Sequence, residues 1–363
     1  MHIVHLTPNF YPEIGGIETY VYELSRRMVK KGHKVSVVTS NKLRDGKKLK
    51  KFEKVDGINV YRVHFNLVMR YNFSTEAVRS LSKLNYDVLH IHSIGYYTDI
   101  ISLLKRIKRN KIVVSTHGGI FHTGHMKLVK NVYFNYFARG ALKYADRIIA
   151  TSLKDFKLFS RICNVHKMKL IYPGVNWKIL SKLQRGKVKN CLLYVGRFAE
   201  NKRLERILHV VAKLKKEIND VKLLLVGKDW GEKEKLVRLT RSLGLSKNVK
   251  FLSNAKKHYV YYSKANAFLL SSAYEGFGIS VLEAMASGLP VVVNDIETMN
   301  EMVVNGKNGY IVNFDDYSKI AGILLKLLQD RKLQKRLGDN GKITARKFDW
   351  DEIVAKVENV YRI

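Results

Sequence analysis

The chain is 363 residues long, 46% hydrophobic and 27% charged, with 66 Lys and Arg against 31 Asp and Glu, a formal net charge of +35. Such a length exceeds what one hydrophobic core usually serves, so two domains are expected, and no uninterrupted apolar run reaches the ~18 residues of a membrane-spanning helix. The charge predicts attraction to nucleic acid, an anionic lipid surface or phosphorylated substrates, whereas the two cysteines, Cys163 and Cys191, suit a reducing compartment and offer no metal-ligand spacing.

The N-terminus opens on the strand-like HIVHL without a signal-type leader, from which a cytoplasmic protein is expected. The loop TPNFYPEIGG leads into a helix from about Ile17 to Lys31 that ends at Gly32. Gly15 and Gly16 open that helix, so its amides could face a phosphate or an acceptor. The alternative is a plain strand-to-helix turn, and the absence of G-x-G-x-x-G argues against a dinucleotide oxidoreductase. VSVVTS reads as a second strand, residues 41 to 57 as a charged loop, and GINVYRVH as a strand again. DVLHIHS, a helix from about Tyr97 to Ile107, KIVVST and RIIATS continue the alternation, which predicts a parallel sheet.

His117 follows KIVVST directly, where open parallel sheets place ligand contacts, although a lone histidine there can be structural. His122 and His125 add a spacing that invites a metal, but no cysteine or acid lies nearby to complete a site, so none is expected. His90 and His92 share one strand face, as a satisfied buried pair or as ligands. Residues 101 to 171 hold 15 Lys and Arg with Asp146 and Asp155 as their acids, a local balance of +13. Within them Tyr133, Phe134, Tyr136 and Phe137 are set among Lys127, Lys130, Arg139 and Lys143. An interior helix would explain those rings, and so would a helix lying in a membrane interface.

Pro173-Gly174 breaks the pattern, and residues 176 to 189 read as a polar connection. CLLYVG, VKLLLVG, NVKFLS, ANAFLLS and PVVVN then give five strands of a second doubly wound unit. Arg197 and Lys202, in GRFAENKR, lie at a strand's carboxyl end, where exposed side chains are expected. Residues 271 to 293, SSAYEGFGISVLEAMASGLPVVV, place Glu275 before a Gly276-Phe277-Gly278 turn and Glu283 eight positions on, in a helix that is otherwise apolar nearly all round. A carboxylate there needs hydrogen-bond donors, from a neighbouring segment or from a ligand's hydroxyls. Gly288 and Pro290 end the helix.

The run E-G-F-G-I-S-V-L-E-A-M-A-S-G-L-P-V-V resembles the E-x7-E signature of retaining GT-B glycosyltransferases of family 4 (glycosyl transferases group 1). T-H-G and G-R-F-A-E-N-K resemble two further motifs of that family, and the likeness spans essentially the whole chain. It implies a GT-B fold, two doubly wound Rossmann-like domains facing each other across a cleft: an acceptor-side domain at 1–173, with a helix at 350–363 packing back on it, and a nucleotide-sugar-binding domain at 174–349. It implies His117 and Glu275 beside the reacting sugar, Gly16, Arg197, Lys202, Gly278 and Ile279 around the donor diphosphate, and Glu283 and Leu252 at the ribose and base. GKDW, without the usual second glycine, departs from the family at the base-binding side.

The implied activity is transfer of a hexose, with retention, from a nucleotide-diphosphate sugar to a glycan, lipid-linked or small-molecule acceptor, with no cofactor and no metal. The expected location is cytoplasmic, and peripheral on the inner face of the membrane if the basic segment docks on anionic lipid. A GT-B nucleotide-sugar epimerase, which needs no acceptor, is the alternative. A nucleic-acid-binding protein would explain the charge but not the paired glutamates, so no nucleic acid is expected as a partner.

Overall fold

The computed structural model describes all residues except 14, 69–70, 95–100, 102–103, 106–109, 119–126, 185, 187 and 254–258, and only the backbone of 66–68, 71–73, 127 and 129–130. The chain forms two compact units, Met1–Pro173 with Trp350–Ile363, and Gly174–Asp349.

In the first unit, β1 (His2–Leu6), β2 (Lys34–Ser40), β3 (Phe52–Val55), β4 (Ile58–Val63), β7 (Val88–His92), β8 (Lys111–Ser115), β9 (Arg147–Ala150) and β10 (Met168–Leu170) form one sheet in the order β10-β9-β8-β7-β1-β2-β4-β3. Every pairing is parallel except β3 with β4. A separate hairpin joins β5 (Asn66–Val68) to β6 (Tyr71–Phe73). Strands β1 and β7 are buried along their whole length, as strands covered on both faces must be. The helix Gly16–Lys30 covers one face through Tyr20, Val21, Leu24 and Met28, at the spacing of one helical stripe. The helix Trp350–Arg362 shares that core through Trp350, Ile353, Val354 and Val357, and its Glu358 binds Lys31, His33 and Arg362.

The charged loop expected at 41–57 contains β3, an edge strand of alternating charge that antiparallel pairing holds against β4. The helix expected at 97–107 falls largely outside the described residues.

In the second unit, β11 (Cys191–Val195), β12 (Lys222–Val226), β13 (Val249–Leu252), β14 (Ala267–Leu270), β15 (Val291–Asn294) and β16 (Gly309–Val312) are all parallel, in the order β13-β12-β11-β14-β15-β16. Strand β16 is a sixth where five were expected. In both sheets the order reverses beside the first strand, between β1 and β7 in one and between β11 and β14 in the other. Ligands of open α/β sheets bind at such switch points, outside the strands' carboxyl ends.

Candidate active site

The second unit's switch point lies where Arg197, Lys202 and Glu275 were read from sequence. The loop after β11 is stitched to the loop after β14: Ser271 Oγ donates to the Lys202 and Arg203 carbonyls at 2.8 and 2.9 Å, and the Ala273 amide donates to the Asn201 carbonyl at 2.9 Å. This seam brings Lys202 Nζ to 2.6 Å from Glu275 Oε1, which also accepts from Ser272 Oγ at 2.7 Å. Lys202 was expected to be exposed. Its exposure is 8%, because a half-buried carboxylate in a packed loop draws the ammonium inward.

Arg197 is half-buried, and its guanidinium lies 4.1 Å from the centre of the Trp230 ring, a cation–π contact from the β11 loop to the GKDW loop after β12. Sequence reading passed over Trp230. A tryptophan in a charged loop at a strand's carboxyl end was the available signal. Leu252 ends β13, and its carbonyl accepts from the Gly227 amide at 2.9 Å. Gly227, in turn, lies so close to Gly196 that a Cβ would meet the Gly196 carbonyl oxygen at 1.8 Å.

Gly278 has φ 101°, a left-handed conformation that favours glycine, and precedes the helix Ile279–Ala286; a Cβ on it would meet Met299 Cε at 2.7 Å, and the flexible methionine tip would have to move. Ile279 is the first helical residue, and its amide belongs to the turn that lacks intrahelical acceptors. Glu283, 8% exposed, accepts from the hydroxyl of the buried Tyr262 at 2.7 Å. The neighbouring-segment reading of this glutamate therefore holds. A carboxylate's two oxygens offer about four acceptor positions, of which the tyrosine hydroxyl takes one. The helix Arg331–Arg346 packs on this one where Gly338 meets Gly288, with no room for a Cβ between them.

At the first unit's switch point, Gly15 is extended and caps the Gly16–Lys30 helix. Glu18, paired with Arg44 at 2.7 Å, turns its carboxylate onto Gly15, where a Cβ would meet Oε2 at 2.2 Å. A carboxylate thus already faces the helix end at which Gly16 was expected to receive a phosphate.

His117 has φ 48°, a left-handed conformation held by a residue that sequence reading did not single out. Buried Asp155 accepts from the Gly118 amide at 2.8 Å and from the Thr116 and Thr151 hydroxyls, clamping the turn on both sides of His117. Burial raises this carboxyl above its usual range, and those hydrogen bonds partly oppose the shift. Its signal was its place as one of two acids in a strongly basic stretch. The other, Asp146, accepts from the Ile112 amide and Lys105.

Below His117, the histidines of β1 and β7 form a buried cluster. His92 Nδ1 is 3.1 Å from His117 Nε2, and His92 Nε2 is 2.9 Å from His5 Nδ1. His90 joins Tyr361 and Ser115 through its two nitrogens. His5, His90 and His92 offer ring nitrogens within 4.8 Å of one another, a spacing that could hold a metal. Both nitrogens of His90 and His92 and the Nδ1 of His5 are already in hydrogen bonds, so a metal would have to break that network. Burial lowers all four imidazoles below the usual histidine range, His5 and His117 to about 3. His122 and His125 lie outside the described residues.

Solved structures of the same fold include sucrose-phosphate synthase from Thermosynechococcus elongatus (TM-score 0.82, 22% identity, 99% of this chain and 98% of that one). Another is Anabaena HepE in complex with UDP-glucose (TM-score 0.79, 18% identity, 100% of both chains). With two doubly wound parallel sheets, the molecule has the GT-B glycosyltransferase fold. Residues 14–178 match the family described as Glycosyltransferase Family 4 and residues 175–344 that described as Glycosyl transferases group 1, and the chain belongs to this family of nucleotide-sugar-dependent glycosyltransferases. Relatives include the GDP-mannose:cellobiosyl-diphosphopolyprenol alpha-mannosyltransferase of Xanthomonas campestris, 27% identical over 99% of this chain and 96% of the relative. The N-acetyl-alpha-D-glucosaminyl L-malate synthase of Bacillus anthracis is 24% identical over 97% and 94%.

Proposed function

We propose that this protein moves a hexose, with mannose from GDP-mannose the first candidate, onto a lipid-linked glycan, retaining the donor's anomeric configuration. The observation that carries the reading is the seam between the β11 and β14 loops, which sets Lys202 on Glu275 at a switch point with Arg197 on the same β11 loop. As the bond from the sugar's C1 to the phosphate oxygen breaks, its electron pair leaves with the nucleoside diphosphate. Arg197 and Lys202 stabilise that charge, and the Gly278 and Ile279 amides add donors. The acceptor oxygen bonds to C1 on the same face and gives its proton to the departing phosphate. His117 and Glu275 contact the sugar, Gly16 supplies an amide, Glu283 binds the ribose, and the backbone at Leu252 lies beside the base. The donor of a named relative supports the choice of sugar nucleotide.

Titration with GDP and UDP tests the nucleotide site. Glu283→Gln should weaken binding by roughly the 1.5–3 kcal/mol of hydrogen bonds to a charged group, and unchanged affinity in that variant removes Glu283 from the ribose. Proton NMR of the first-formed linkage should show the donor's configuration; an inverted product would call for a general base on the opposite face. Because two cations supply the positive charge, we also propose a metal-independent reaction, and activity lost to a chelator would refute that.

The acceptor side rests on the helix Lys127–Val132, which continues through a π-helical stretch, Tyr133–Ala138, into Arg139–Leu142. The structure divides its aromatics. Tyr133 and Phe134 enter the core, whereas Tyr136 and Phe137 are 74% and 61% exposed. Leu128, Val132 and Tyr136 recur every fourth residue on the surface, with Arg139 and Lys143 exposed nearby. Rings and aliphatic side chains among cations suit an anionic lipid surface, where each cation contributes about 1 kcal/mol. No helix among the described residues is long and apolar enough to cross a membrane. Vesicles containing phosphatidylserine should sediment the protein and neutral ones should not. Equal recovery on both, or no loss when Lys127, Lys130, Arg139 and Lys143 are neutralised, would mean that this face does not dock.

A further inference from the structure

We propose that a hydrogen-bonded file of three histidines, His5, His92 and His117, fixes the tautomer of His117 so that its Nδ1 carries the proton and donates to the sugar of the bound donor, with His92 as the positioning residue. This rests on the sugar contact assigned to His117 above.

A neutral imidazole has one N–H donor and one bare acceptor nitrogen, and burial keeps these three rings neutral at physiological pH. In the file, His5 Nδ1 meets His92 Nε2 at 2.9 Å, and His92 Nδ1 meets His117 Nε2 at 3.1 Å. Since His92 uses both nitrogens, its single proton sets the direction of the whole file. If the proton is on Nε2, His92 donates to His5, whose own proton then sits on Nε2, and His117 donates inward to His92. If it is on Nδ1, His5 donates to His92, His92 donates to His117, and the proton of His117 is left on Nδ1.

His5 Nε2 decides between the two, because it is buried without a hydrogen-bond partner among the described residues. The first direction would strand an N–H there and the second only a lone pair; orphaned buried N–H groups are the rarer of the two in folded proteins. The second direction therefore prevails. His117 is bound to it by the Asp155 clamp, which fixes the turn on either side of its ring. In consequence, His117 presents a proton rather than a lone pair at the nitrogen not spent on His92, and a sugar hydroxyl is met through its oxygen.

Nitrogen-15 NMR of histidine-labelled protein, with His117 identified by its loss in His117→Ala, reads the tautomer directly. Wild type should show His117 protonated at Nδ1, and His92→Leu should return it toward Nε2–H, the form a free imidazole side chain prefers. His92→Asn puts an amide donor near the position of Nδ1 and should keep the wild-type tautomer. Donor kcat/KM should fall about five- to tenfold in His92→Leu, the loss of one neutral hydrogen bond, and recover in His92→Asn, with GDP affinity unchanged in both. A His117 protonated at Nε2 in wild type overturns the proposal even if no His92 variant folds. The same holds if His92→Leu leaves both tautomer and turnover unaltered. Full transfer by His117→Ala would instead refute the sugar contact, the reading beneath the proposal, and the spectrum separates that failure from an error in the file's direction.

Discussion

Replacing Lys202 by alanine should lower transfer by roughly 10²–10³-fold, the loss typical of removing one preorganised group that stabilises developing charge. It should also destabilise the second unit. Lys202 and Glu275 are held at 2.6 Å with side chains 10% and 13% exposed, so the variant leaves a shielded carboxylate without its partner. Breaking such a pair costs about 3–5 kcal/mol. Lys202→Met with Glu275→Gln should regain most of that stability, since neither residue is then charged, yet remain inactive. Arg197→Ala separates the effects in the other direction. Its guanidinium rests on the Trp230 face, a contact of about 0.5–1 kcal/mol, so transfer should fall while the unfolding midpoint barely moves. The assignment is wrong if Lys202→Ala unfolds like wild type or if either single variant retains full transfer.

The first unit should lose stability steeply as pH falls from about 7.5 to about 5. His5, His90 and His92 are fully buried, and burial holds their imidazoles below the ordinary value of 6.5, His5 at about 3. Between about 3 and 6.5 the unfolded chain binds a proton at His5 that the native state refuses, so stability rises with pH there and is lost on acidification. Each unit below 6.5 costs about 1.4 kcal/mol, or about 2 kcal/mol for His5 alone by about pH 5. His90 and His92 act in the same sense. His117, lowered to about 3 by burial, acts in the same sense.

Two carboxylates do not alter that sign. Glu358, lowered to about 2 by its bonds to Arg362 and Lys31, loses its contribution only below about 4.5, outside the window. Asp155 is raised and acts oppositely, but as one group against several. Trp350 is the first unit's tryptophan, so its fluorescence reads that unit once Trp177 and Trp230 are replaced by phenylalanine. A urea midpoint that stays level across this range would mean that these imidazoles take up protons in the native state as readily as in the unfolded chain.

The features legible in the order of residues are local ones. Apolar runs bounded by glycines and polar loops mark the buried parallel strands, and a residue just after such a run must lie at the carboxyl end of its sheet. His117, Arg197 and Glu275 were legible for that reason, and so was the Gly278 turn, because Gly276 and Gly278 sit at the entry to an apolar helix. The pattern fails where a strand is too short or too polar to show period: GYIV of β16 is four residues long, and FEKV of β3 alternates charge on an edge. Which residues meet follows from the packing of the whole fold, because partners are chosen by strand order and register, which no local pattern encodes. Placing β11 beside β14 brings Lys202 to Glu275, 73 positions away, and makes that lysine a buried ion-pair partner rather than a surface cation. Tyr262 reaches Glu283 by the packing of one helix on another. The histidine file likewise exists because β7 pairs with both β1 and β8, setting His5 opposite His90 and His92 opposite Ser115, two residues before His117.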